Sequence, residues 1–341
     1  MRILIVKLSS LGDVVHAMPA VQDLRQVYPE AQIDWVVERA FAPLVQRCKG
    51  VHRVIACELR RWRGHPFSGQ TRQEWQHFKA DLQQDSYDAV IDLQGLSKSA
   101  LVSWLARVKP GGKRYGLANQ TDGSSFEAPA RWVADVAITL PARSHAVTRA
   151  RQLCALALGY TLPFYMSFGL LAQADKALPA MRNVALKTGL RGVVVLAHGT
   201  SRQDKAWPLA HWRALAARLN SAGFGVALVH GNAAEEALSN AIASGLMHAQ
   251  VWPTLALDAL TDSLSSSAGV IGVDSGLSHM AVALNLPHVQ IYNFDTAWRT
   301  GPLASALHMS VFARPTPDVD AVWQAWQDVS ASIAPSGFAP L

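Results

Sequence analysis

Asp13 is a lone carboxylate at the junction of a small-residue loop and a helical pattern. It follows Ser9, Ser10 and Gly12 and precedes Val14, Val15, Met18, Val21 and Leu24, which recur at helical spacing. A carboxylate there can take a proton as a general base or merely cap the helix. Two later segments have the same strand–turn–helix form. In 272–284, Ser275, Gly276 and Leu277 would present free backbone N–H groups at a helix start. That is an anion site suited to a diphosphate, with Asp274 and His279 beside it. Ordinary capping by Asp and Ser is the competing account. In 198–208, Thr200, Ser201 and Lys205 place two hydroxyls and a cation on one loop. Such a set can hold a pyrophosphate, or Asp204 can simply neutralise it. Arg60, Arg61 and Arg63 cluster in what reads as a polar loop. They either grip an anion or form a solvated charge run, and Lys98, Lys113 and Arg114 extend the basic character.

These residues need elements to hold them. Short apolar runs at 3–6, 33–37, 51–56 and 89–93 read as strands, with helical patterns at 13–27, 71–85 and 97–107. The plan repeats: strands at 193–197, 225–229, 269–273 and 288–292, helices at 208–221, 233–244, 256–266, 276–285 and 318–331. Such alternation predicts an α/β chain of two doubly wound parallel sheets, with ligand edges at the carboxyl ends of the strands. The expected domains are 1–165 and 185–320, with a linker at 166–184 and a cleft between them. Helix 318–331 is expected to pack back on the first domain. Half of the 341 residues are hydrophobic, enough for two cores.

Composition narrows the chemistry. The formal charge is +6, and most of the 31 cations are arginine, which suits phosphate or carboxylate partners. Three cysteines, Cys48, Cys57 and Cys154, match no zinc spacing and read as reduced thiols. Asp318 and Asp320 have a D-x-D spacing, but they open a helix, where acids are favoured anyway. No clustered His/Cys set, G-x-x-x-x-G-K-[ST] loop or G-x-G-x-x-G turn occurs, so neither a resident metal nor a cofactor is expected. No nucleic-acid motif is present, and Trp207, Trp212, Trp323 and Trp326 read as core. The charge-free stretch 152–174 is interrupted by Gly159, Thr161, Pro163 and Ser167. It reads as a helix end and an extended connection rather than a membrane span. No signal peptide is expected, since the first strand pattern begins at residue 3.

Taken in order, 7–16, Arg60-Arg-Trp-Arg63, 92–101 (Asp-Leu-Gln-Gly-Leu-Ser-Lys-Ser-Ala-Leu) and 272–284 resemble the lipopolysaccharide heptosyltransferases of glycosyltransferase family 9. The similarity runs from Met1 to about Pro302. It implies a GT-B glycosyltransferase, with two Rossmann-like domains facing across a cleft. The first would hold the acceptor and the second the nucleotide sugar. The implied reaction moves L-glycero-D-manno-heptose from ADP-heptose onto the first Kdo of Kdo2-lipid A, with inversion and without metal. By that resemblance Asp13 is the base. Ser10, Gly12, Arg60, Arg61, Arg63, Gln94 and Lys98 face the acceptor. Thr200, Ser201 and Lys205 hold the diphosphate, Glu235 the adenosine ribose and Leu255 the adenine. Asp274, Ser275, Gly276, Leu277 and His279 contact heptose and phosphate.

The implied setting is a monomer, peripheral on the cytoplasmic face of the inner membrane. Ser201 and Ser275 stand where threonine is common, and both keep the hydroxyl. After Tyr292 the chain reads Asn-Phe-Asp-Thr-Ala-Trp-Arg-Thr-Gly-Pro, where the family more often has a Gly-x-Thr-Asp-Pro turn. Three rival readings carry their own discriminating signs. They are the family member that extends an already heptosylated acceptor, an epimerase-like enzyme binding UDP, and a non-catalytic nucleotide-binding module with a basic face.

Overall fold

The computed structural model describes residues 1–178 and 189–331. The chain divides into two compact units, Met1–Leu171 and Ala172–Leu341. The first holds strands β1 (Arg2–Val6), β2 (Gln32–Glu38), β3 (Val51–Cys57), β4 (Ser86–Asp92), β5 (Arg107–Leu117) and β6 (Val136–Ile138). They form one sheet in the order β3-β2-β1-β4-β5-β6, and every pairing is parallel. The second holds β7 (Val193–Ala197), β8 (Gly225–Leu228), β9 (Ala249–Val251), β10 (Gly269–Val273), β11 (His288–Tyr292) and β12 (His308–Phe312). Their order is β12-β11-β10-β7-β8-β9, again parallel throughout.

The strand sequences explain their position. Ile3, Leu4, Ile5 and Val6 of β1 and Val194, Val195, Leu196 and Ala197 of β7 are all fully buried. A strand covered on both faces by helices reads as an unbroken apolar run. In each sheet the strand order reverses at one place, between β1 and β4 and between β10 and β7. Connections leave those neighbours in opposite directions, and a crevice opens at their carboxyl ends. Close packing is needed there. A Cβ on Gly272 would lie 2.5 Å from Ser278 Oγ and 2.8 Å from Ala197 Cβ, so only glycine lets β10 sit against β7 and the following helix.

The eight anticipated strands are present; β5, β6, β9 and β12 were not anticipated. The domain boundary shifts. Residues 166–171 belong to the first unit: Lys49 N–H donates to Gly169 O at 2.8 Å and Leu171 N–H to Arg47 O at 2.8 Å. Gln173 N–H instead donates to Asp262 Oδ1 at 2.7 Å, within the second unit. The rest of the expected linker, 179–184, lies outside the described residues. The C-terminal helix Val319–Ala331 packs within the second unit. Its buried face, Val322, Ala325, Trp326 and Val329, completes the core of the second. There the ring of Trp326 meets Phe224 edge-on at 5.7 Å.

The charge-free stretch resolves as read. The helix Ala146–Leu158 ends at Gly159, whose φ of +70° closes it. Arg151 ties that helix to Asp23 by two bonds of 2.7 and 3.0 Å. Among the described residues no helix is long and apolar enough to cross a membrane.

Candidate functional site

In the first unit the crevice lies between β1 and β4. Asp13 sits in the first turn of the helix Leu11–Val27. Ser10 donates to Asp13 Oδ2 twice, from its N–H at 3.1 Å and its hydroxyl at 2.9 Å. So Asp13 does cap its helix. It also does more, because Lys7 Nζ lies 3.6 Å from its other oxygen. Lys7 ends the strand side of the turn with its side chain turned inward; it is buried, and Nζ donates to Leu93 O at 3.2 Å. Burial pushes the Asp13 carboxyl up, but the Lys7 charge and the Ser10 hydrogen bonds outweigh it. Asp13 is therefore held well below the usual carboxylate range. Its side chain remains 38% exposed, so one edge of an ionised carboxylate is open to a ligand.

This coupling is testable directly. Lys7→Met should raise the Asp13 pKa, since burial would then act with less opposition. Titration of the Asp13 carboxyl carbon by NMR reads the shift. An unmoved titration would reject the pairing. In the native chain the folded pKa lies below the unfolded one. Ionised Asp13 therefore stabilises the first unit above its ordinary pKa, about 3.9, and that contribution is lost as pH falls below it.

β4 builds the opposite wall. Asp92 is buried at its end and accepts from Gln94 N–H (2.8 Å), Gly95 N–H (3.1 Å) and Ser99 Oγ (2.8 Å). Burial nonetheless raises its pKa. The turn so fixed aims Gln94 at the β1 loop, where its Oε1 accepts from Leu8 and Ser9 N–H at 3.1 and 3.2 Å. Lys98 Nζ donates to Ser9 Oγ at 2.8 Å. Arg60, Arg63 and Lys98 then line one cavity of about 320 Å³ with Leu59, Leu96, Ser97 and Glu127. The arginine segment is not a loop as expected: Leu59–Gly64 is a short helix pinned by buried Trp62. That helix turns Arg61 away from the cavity lining, onto Glu58 and Glu74. Glu38, which the sequence did not single out, sits beside Lys98 and Arg60, and burial raises its pKa.

In the second unit the crevice lies between β10 and β7. Asp274 is buried at the end of β10. Lys205 Nζ donates to its Oδ2 at 2.6 Å. Around its Oδ1 stand Gln290 Nε2 at 3.3 Å, Thr300 Oγ1 at 3.3 Å and His279 Nε2 at 3.5 Å. Burial pushes Asp274 up, but His279 and Lys205 outweigh it, and its pKa is lowered. Ser275 stands at the N-cap position of the helix Gly276–Ala283 without a side-chain capping bond, and its buried hydroxyl has no hydrogen-bond partner among the described residues. The loop 200–205 is held from behind: Asn293 Nδ2 donates to Asp204 O at 2.9 Å and Ala206 O at 3.0 Å. Thus the segment after Tyr292 supports the lysine loop through Asn293 and Asp274 through Thr300, while Asp295 is exposed.

Glu235 lies one strand further. Asn232 caps its helix, and Glu235 Oε2 accepts Gly231 N–H at 2.7 Å. A Cβ on Gly199 would come within 2.9 Å of the Glu235 carboxyl carbon, so the loops after β7 and β8 touch. Leu255 follows β9 and is half-buried. The sheet order β10-β7-β8-β9 therefore sets Asp274 and His279, Thr200 to Lys205, Glu235 and Leu255 in one row along a single edge. Three strand spacings span roughly 14 Å, the reach of an extended nucleoside diphosphate. Of the residues given a role by the resemblance, Arg61 is turned away from these two edges; Lys113 and Arg114, which extended the basic character in sequence, lie on β5, where Arg114 donates to the Ser103 and Ala106 carbonyls. Lys7, Gln290 and Thr300 were missed. Asp318 is a helix cap, accepting Ala321 N–H at 2.8 Å.

The model for glycosyltransferase family 9 (heptosyltransferase) matches residues 75–322. The chain is 38% identical over 293 residues to lipopolysaccharide heptosyltransferase 1 of Escherichia coli K12, covering 86% of this chain and 88% of that one. It is also 38% identical over 310 residues to lipopolysaccharide heptosyltransferase 1 of Pseudomonas aeruginosa, covering 88% and 81%. The structure of E. coli heptosyltransferase WaaC with ADP superposes with a TM-score of 0.83 at 32% identity, over 96% of this chain and all of that one. The architecture is GT-B, and the chain belongs to glycosyltransferase family 9, the heptosyltransferases.

Proposed function

We propose that the enzyme transfers L-glycero-D-manno-heptose from ADP-heptose onto the first Kdo of Kdo2-lipid A, with inversion and without a metal. The observation that carries this reading is the row of ligand residues along the second sheet. Leu255 would meet adenine, Glu235 the ribose and the loop 200–205 with the helix start at Ser275 the diphosphate. Asp274 and His279 would meet the sugar. Lys205 and the N–H groups of that helix supply the positive charge a departing diphosphate needs. The cavity of Arg60, Arg63 and Lys98 suits an anionic acceptor.

The acceptor hydroxyl oxygen bonds to the anomeric carbon as the bond from that carbon to the diphosphate oxygen breaks. The hydroxyl proton passes to an Asp13 oxygen, and ADP leaves carrying the negative charge. Attack opposite the leaving group inverts the centre. The enzyme acts as a monomer, peripheral to the cytoplasmic face of the inner membrane where the acceptor lies.

The test is an ADP-release assay with ADP-heptose, ADP-mannose and UDP-sugars as donors. Kdo2-lipid A and its heptosylated form serve as acceptors. Turnover with ADP-heptose on Kdo2-lipid A is the expected result. Turnover only on the heptosylated acceptor, or only with UDP-sugars, would overturn it.

A further inference from the structure

Two helices of the first unit carry large apolar side chains into solvent. In Ser97–Leu105 the buried residues are Ser99, Ala100, Val102 and Ser103, while Leu101 is 41% and Trp104 63% exposed. In Ala128–Val133, Trp132 is 77% exposed. A single exposed apolar residue needs no explanation. Three on adjoining helices do. The helices begin side by side: Ser97 N–H donates to Glu127 Oε2 at 2.7 Å, and Glu127 N–H to Gly95 O at 2.9 Å. Both starts also line the basic cavity, through Ser97, Lys98 and Glu127. At 1.5 Å per residue, Leu101 stands roughly 6 Å and Trp104 roughly 10 Å along the axis from Ser97.

The chemistry of this ridge selects its occupant. Indole is apolar with one N–H donor, which suits the level of lipid headgroups better than a dry core. Cations flank the ridge: Arg131 precedes Trp132, and Arg107 follows the end of the first helix, both exposed. The nearby acids are already answered, Asp135 by Arg114 at 3.8 Å and Glu127 by Ser97 N–H.

We propose that this face seats on an anionic phospholipid surface, with Leu101, Trp104 and Trp132 at headgroup depth and Arg107 and Arg131 on the phosphates. The idea rests on the reading of a lipid-linked acceptor. The sugar of such an acceptor would enter the cavity of Arg60, Arg63 and Lys98 while its acyl chains stay in the bilayer. The ridge begins at that cavity, so the sugar need not leave the membrane surface to be bound.

The test is co-sedimentation of the full chain with vesicles of phosphatidylglycerol and phosphatidylethanolamine that contain no acceptor. The native chain should sediment with them. Trp104→Ser/Trp132→Ser should lose partitioning by about tenfold or more, the loss of two interfacial anchors. Both proteins should heptosylate a water-soluble, acyl-free Kdo acceptor equally, which shows that the variant is folded. Equal partitioning of the two proteins, or no binding by the native chain, would overturn the proposal. So would sedimentation velocity showing a dimer that the double substitution dissociates, because a second copy would then cover the face. Vesicle binding that depends on the tryptophans, without turnover of the soluble acceptor by either protein, would support the docking and count against the acceptor reading.

Discussion

Asp13→Asn is expected to lower kcat by about 10²–10⁴-fold, the usual contribution of a positioned general base. The change keeps the volume and one acceptor oxygen, so Ser10 can still donate to it. What it removes is the negative charge and the proton affinity. None of the proposed ADP contacts lies in the first unit, so the thermal shift caused by ADP should be unchanged. A near-normal rate would remove Asp13 from the mechanism and leave it as a helix cap. A lost ADP shift would mean that the substitution damages the fold instead.

The depressed pKa of Asp13 looks at first like an argument against this role, because a weakly basic carboxylate takes a proton poorly. The order of events answers it. The acceptor hydroxyl becomes strongly acidic once its oxygen has begun to bond to the anomeric carbon. A carboxylate of low pKa suffices if the proton moves late. Lys7 keeps the Asp13 carboxylate ionised at every physiological pH, and Ser10 fixes its orientation. The same depression means that Asp13 contributes no acid limb to the pH–rate profile near neutrality.

The parts of this site that could be read in sequence share one property: each lies at a strand–turn–helix junction. Asp13, the 200–205 loop and Asp274 to His279 stand after apolar strands, and strand ends are where open α/β sheets bind ligands. Lys7, Gln290 and Thr300 carry no such mark. Lys7 and Gln290 belong to strand or strand-end positions, and their role appears only when the fold brings a partner to them: Asp13, in the helix that follows β1, or Asp274, at the end of the neighbouring strand β10. The missed strands have a different cause. β5 reads Arg-Val-Lys-Pro-Gly-Gly-Lys-Arg-Tyr-Gly-Leu, with breakers at its centre, and its pairing with β4 shifts register there. β6 and β9 have three residues each, and β12 is a half-exposed edge. Edge strands need little apolar sequence, so periodicity does not reveal them. The Arg60–Arg63 helix is six residues long, too short for a helical period; buried Trp62, not propensity, sets it.

The second large effect is expected at Lys205. Lys205→Met should reduce kcat/KM by about 10²–10³-fold, the scale for losing one preorganised contact to developing charge. Two mechanisms contribute, and they can be separated. On the proposed reading Lys205 stabilises the leaving diphosphate; it also neutralises Asp274, whose side chain is only 5% exposed. Breaking a fully buried pair costs about 3–5 kcal/mol. Lys205 is itself 21% exposed, so solvent screens part of that cost and a smaller loss of stability is expected. Adding Asp274→Asn to Lys205→Met removes the stranded charge. The double variant should regain thermal stability relative to the single one while its rate stays low. Recovery of rate along with stability would assign Lys205 a structural role only. No recovery of stability would show that Gln290, Thr300 and His279 alone satisfy the Asp274 carboxylate.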